Sequence, residues 1–146
     1  MTYPIGSILL IKQYKLPTEE KDKFFIVIEQ DGDINNLLSM TTSKFHFSTN
    51  LIKHGIVSQG SGASMYCFEK DRIIGEKGFY FSKHTFINHN SNIHEFSFDK
   101  LSQYKIDIKD TLLLEELQNL IYSFYQYKGT PKKMKIKLEN ILSKIC

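Results

Sequence analysis

The chain has 146 residues, 41% hydrophobic and 24% charged, with a formal charge of +3. That size and balance describe one soluble globular domain able to bury a core without disulfides or metal. The positive charge is almost all lysine, Arg72 being the only arginine, which argues against recognition built on guanidinium forks. Cys67 and Cys146 are too few for a disulfide framework and point to a reduced, cytoplasmic protein. No apolar run nears the roughly 18 residues of a membrane helix, and the run near Met1 is too short for a secretory signal. No membrane partner is therefore expected.

Two apolar runs, Gly6 to Ile11 and Phe24 to Ile28, read as buried strands. The polar break between them, Lys12 to Lys23, carries Pro17 and a charged run from Glu19 to Lys23. It reads as a long solvated loop. A dense turn signal covers Glu29 to Asn36, and Leu37 to Thr42 is a third strand candidate. Ser48 to Val57 fits a strand pair or a short helix. Ser58 to Ser64 is either a flexible connector or an anion-binding nest of backbone N–H groups; it lacks the ending of a phosphate-binding P-loop. Met65 to Glu69 is a strand, and Glu76-Lys77 between Gly75 and Gly78 predicts a tight hairpin. His84 to Ile87 is extended, and Ile93 to Phe98 alternates like a half-buried strand.

The last part changes character. Asp110 or Thr111 can cap a helix reaching Tyr127, with Leu113, Leu117, Leu120, Ile121 and Phe124 on its apolar face. Gly129-Thr130-Pro131 stops it. Thr130 is a suitable N-cap for a second helix with Pro131 at its first position. That helix sets Met134, Leu138, Ile141, Leu142 and Ile145 inward, and Lys132, Lys133, Lys135, Lys137 and Lys144 outward. The spacing of strands predicts a small barrel or sandwich. The whole reads as mainly β with C-terminal helices (α+β). It is one domain over 1–146, with a β body over about 1–105 and a helical part over about 110–146.

Gly6-Ser7-Ile8, then Lys23 followed by Phe24-Phe25-Ile26-Val27-Ile28, then Met40-Thr41-Thr42-Ser43, resembles the PemK/MazF family of bacterial toxins. The resemblance covers about the first 45 residues, with a vaguer match through the helical part. It implies a small SH3-like antiparallel barrel, shared with the gyrase poison CcdB, capped here by two helices. It also implies a metal-independent endoribonuclease of a toxin–antitoxin pair: no cofactor, an RNA substrate, an antitoxin partner and a homodimer. The family's catalytic arginine falls on Lys23, its proline on Phe24, its glycine-following aspartate on Ser7 and its active-site threonine or serine on Thr42.

Cleavage of RNA by its own 2′-hydroxyl needs a base, a cation for the phosphorane and an acid for the leaving oxygen. Lys23 supplies a point charge, Thr42 a hydroxyl for a phosphate oxygen, and His46 the acid or base. Lys21, Ser43 and Lys44 are the neighbouring RNA contacts. Against this stand plainer readings: Lys21 and Lys23 as solvated loop charges, Thr42 as an ordinary strand residue, His46 as a surface histidine. His84, His89 and His94 do not match a zinc spacing, and no metal is expected. Phe79, Tyr80 and Phe81 offer base stacking or core. The rival function is a non-catalytic SH3-like module that binds a protein or nucleic acid.

Overall fold

The computed structural model describes residues 3–40, 53–58, 64–91 and 93–145. Thr42, Ser43, Lys44 and His46 lie outside the described residues, as does most of the ambiguous stretch from Ser48 onward. The elements run β1 (Ser7–Lys15), β2 (Glu20–Asp31), β3 (Ile34–Ser39), β4 (Gly55–Ser58), β5 (Ser64–Phe68), β6 (Thr85–Asn88), β7 (His94–Ser97), α1 (Phe98–Leu101), β8 (Ile106–Thr111), α2 (Leu114–Gln126) and α3 (Lys132–Ile145).

The strands are antiparallel and, among the described residues, form two sheets, ordered β7-β3-β2-β1-β8 and β4-β5-β6. Period-two alternation sends Ile8, Ile26, Ile28 and Leu38 to one face of the larger sheet. There they pack with Tyr66 and Phe68 of the smaller sheet and with Leu117, Leu120, Phe124, Leu138 and Ile141 of the helices. Leu9, Ile11, Phe25, Val27 and Leu37 take the opposite face, with Phe96 and Leu101. Both faces are covered, which is why the central strands read as continuous apolar runs.

The polar break is not a long loop. β1 and β2 stay paired out to Lys15 opposite Glu20, leaving a short turn closed by the Leu16 N–H on the Glu19 carbonyl at 2.8 Å. A two-stranded ribbon satisfies backbone groups while its charged side chains remain in water. The ribbon is kinked at Gln13, whose φ is 51°. The freed Gln13 N–H donates to the Asp22 carboxylate at 3.0 Å.

Other expectations also shift. The turn signal shrinks to Asp31-Gly32-Asp33, because Asn35 and Asn36 are buried inside β3. Asn36 Nδ2 donates to the buried Glu29 at 3.0 Å. The β body extends beyond residue 105, since β8 pairs with β1 through Thr111. Asp110 is therefore a strand residue and not a helix cap; α2 starts after Leu113, which is 39% exposed and makes no side-chain cap bond. Thr130 does not cap α3 either. Its hydroxyl turns back and donates to the Phe124 carbonyl at 2.7 Å. Lys137 and Lys144 are not simply solvated: they lie 3.7 Å and 3.5 Å from Glu29 and tie α3 to β2.

The tight turn at Glu76-Lys77 is present, with the Gly78 N–H on the Gly75 carbonyl at 3.0 Å and Gly78 at φ +93°. Its flanks are not strands. The Asp110 carboxylate holds it by accepting from the N–H groups of Lys77, Phe79 and Thr111.

Candidate functional site

Lys23 sits in β2 opposite Ile11, one step from Phe25 on the same face of the sheet. It is half-buried, whereas Lys21 stays exposed beside Glu19 at 3.8 Å. Burial, and secondarily the Lys21 charge, hold the Lys23 ammonium below the usual lysine range. Lys21 is thus a solvated charge, though on a strand and not in a loop, whereas Lys23 is neither fully solvated nor in a loop.

The imidazole that the Lys23 charge reaches is His94, on β7 and on the same face of the sheet. Leu37 of β3 links the two strands, pairing with His94 on one side and Val27 on the other. The His94 ring lies 5.7 Å from the Phe25 ring and stacks on Phe96 at 6.0 Å. Burial, and then the Lys23 charge, push the His94 imidazole below 6.5. At neutral pH this face therefore offers a neutral imidazole near a protonated amine. The surrounding wall is aromatic: Tyr14 lies 5.0 Å from Phe25 and 5.6 Å from Tyr104, and Lys100 sits 5.1 Å above Phe96. A polar cleft of about 600 Å³ adjoins Tyr104, with Lys12, Lys15 and Lys105 set against Glu20 and Asp22.

The other histidines have separate partners. His84 Nδ1 accepts the Lys70 N–H at 3.1 Å. His89 is buried between two serines. Ser123 donates its own proton to the Leu120 carbonyl at 2.6 Å, so its oxygen accepts from His89 Nε2 at 3.0 Å. Nδ1 is then left to accept from Ser64 at 2.7 Å. Burial holds this imidazole down to about 4. His84, His89 and His94 thus do not converge, and among the described residues no three His, Cys, Asp or Glu side chains gather as a metal site.

Two features were missed in the sequence. His94 lies 71 positions from Lys23, and only strand order joins them. The second is a buried triad under the smaller sheet. His54 Nδ1 accepts the Glu69 N–H at 3.2 Å, leaving Nε2 to donate to Glu116 at 2.6 Å, while Tyr66 donates to the same carboxylate at 3.1 Å. Burial, then Glu116, keeps the Tyr66 hydroxyl protonated well above its ordinary range. A helical wheel puts Glu116 beside Leu117 and Leu120, but nothing in the pattern marks it as buried. Cys67 is also buried, and its thiol is pushed up to about 11, chiefly by burial and then by Glu69. It is not a reactive thiolate.

No family model matches the chain, and neither does any curated protein or solved structure. Among the described residues no helix is long and apolar enough to cross a membrane.

Proposed function

We propose that the chain is a toxin-like, metal-independent endoribonuclease of the PemK/MazF kind, with its reacting centre at Lys23 and His94. The observation that supports this is the placement of a half-buried lysine and a histidine of lowered basicity on one sheet face. His94 takes the proton of a ribose 2′-hydroxyl, whose oxygen attacks the adjacent phosphorus. The Lys23 ammonium stabilises the phosphorane that forms. The bond to the 5′-oxygen then breaks, leaving a 2′,3′-cyclic phosphate. The leaving oxygen takes a proton from Lys23, which burial makes a better acid than a free lysine. Base, cation and acid all come from the chain, so the scheme needs no metal.

On this reading Thr42 keeps the role the resemblance gives it, His94 takes the acid–base role that the sequence reading gave to His46, and Lys21, Ser43 and Lys44 are RNA contacts. The β1–β2–β3 meander corresponds to strands of an SH3-like barrel. The protein works in the cytoplasm as a homodimer restrained by an antitoxin. Lys23 standing where the family has arginine favours a second reading, a binding module without catalysis, because an ammonium lacks the fork that grips a phosphorane. The experiment that separates them is incubation of purified protein with mixed-sequence RNA in EDTA. Cyclic-phosphate products support the ribonuclease; binding without products supports the module.

A further inference from the structure

A separate cleft lies on the other face of the β1–β2 hairpin, away from Lys23. Its volume is about 330 Å³, and its walls include Phe24, Phe79, Tyr80 and Phe81, with Lys83 and Lys109 at the rim. The rings form a fixed wall: Phe24 lies 5.0 Å from Phe81, and Phe79 meets Phe81 edge-on at 5.0 Å. The wall is held from behind, since the Phe79 N–H donates to Asp110 at 3.1 Å and the Phe79 carbonyl accepts from Ile74 at 2.9 Å. Tyr80 is 52% exposed, a large aromatic surface with no core role. Among the described residues no carboxylate lines the cleft. Lys83 and Lys109 make no ion pair among the described residues.

We propose that this cleft binds a segment of single-stranded nucleic acid, one base stacking against Tyr80 and the aromatic wall and its flanking phosphates meeting Lys83 and Lys109. Flat π faces suit a base of any identity, and paired cations without an opposing acid suit the repeating phosphates. The site needs no cleavage at Lys23 and stands whether or not that reaction occurs.

The test is fluorescence anisotropy with a short labelled 2′-O-methyl RNA, which cannot be cut through its 2′-oxygen, beside an abasic oligomer of equal length and a poly-glutamate peptide. Wild-type protein binds the RNA, and the abasic oligomer binds more weakly. Tyr80→Ala, at an exposed position where folding is not at stake, weakens RNA binding roughly 5- to 100-fold. Changing both Lys83→Ala and Lys109→Ala lowers the slope of log affinity against log salt by roughly 1.4. Lys128→Ala, on the loop before α3, leaves binding unchanged. The proposal is overturned by no binding, by equal binding of the abasic oligomer, by Tyr80→Ala behaving as wild type, or by poly-glutamate displacing the RNA at equal concentration.

Discussion

Burial and then the Lys23 charge lower the proton affinity of His94, and the effect of the charge can be measured without any substrate. With Lys23 charged, His94 titrates below 6.5. Lys23→Ala removes a neighbouring cation, so the His94 imidazole should titrate at higher pH, read by NMR of its ring protons. Lys15→Ala, at an exposed ribbon position, should leave it in place. An unmoved His94 in Lys23→Ala would separate the two groups. His89 makes a second prediction at this scale. Its imidazole is held down to about 4 in the folded chain, against about 6.5 when unfolded. Between those values the unfolded chain binds more protons. Folding stability due to His89 is therefore complete above about 6.5 and is lost as pH falls toward about 4, by at most about 3 kcal/mol. Denaturant melts across that window should show a shallower slope in His89→Gln than in wild type.

Among the elements, α3 is held by Leu138 and Ile141, both fully buried against the larger cluster. Leu138→Ala should cost roughly 2–5 kcal/mol in urea melts, the range for a truncated core leucine. The turn at Gly75 tests a different mechanism. A Cβ there would fall on the Asp110 carboxylate and 2.9 Å from Phe79. Burial alone would raise the Asp110 carboxyl, yet the N–H groups of Thr111, Phe79 and Lys77 together hold it below the ordinary range. Gly75→Ala should displace that carboxylate and lower the melting temperature, whereas Gly78→Ala strains only an open turn at φ +93°. What the sequence pattern revealed at this scale was periodicity: the apolar runs of β1 and β2, and the stripes of α2 and α3. It does not distinguish the ribbon from a loop, because the charged residues of Lys12 to Lys23 suit a solvated loop and an exposed strand pair equally well. It misjudged the caps, because the Asp110 carboxylate is taken by the distant N–H groups of Lys77 and Phe79, and the Thr130 hydroxyl donates back to the Phe124 carbonyl at the end of α2 instead of opening α3. Of the pair Lys23 and His94, Lys23 is legible as a site residue; His94 joins it through strand order, which no local pattern encodes.

At the scale of the whole molecule, the two faces of the larger sheet divide the work. One face is sealed by the smaller sheet and the helices and supplies the bulk of the core. The other carries Lys23, His94 and a set of half-buried aromatics beside a polar cleft. A reaction on that face should follow a broad pH profile. Its rate should rise as His94 loses its proton below 6.5, stay level through neutrality, and fall as Lys23 deprotonates below 10.5. The most direct measurement is single-turnover cleavage of mixed-sequence RNA in EDTA by wild type, Lys23→Ala, Lys23→Arg and Lys21→Ala. Loss of one preorganised electrostatic donor typically slows turnover about a hundred- to a thousand-fold. Lys23→Ala should show that loss with RNA binding largely kept, Lys23→Arg should equal or exceed wild type, and Lys21→Ala should change the rate little. No cleavage by wild type, or equal effects of Lys23→Ala and Lys21→Ala, would contradict a reacting centre at Lys23.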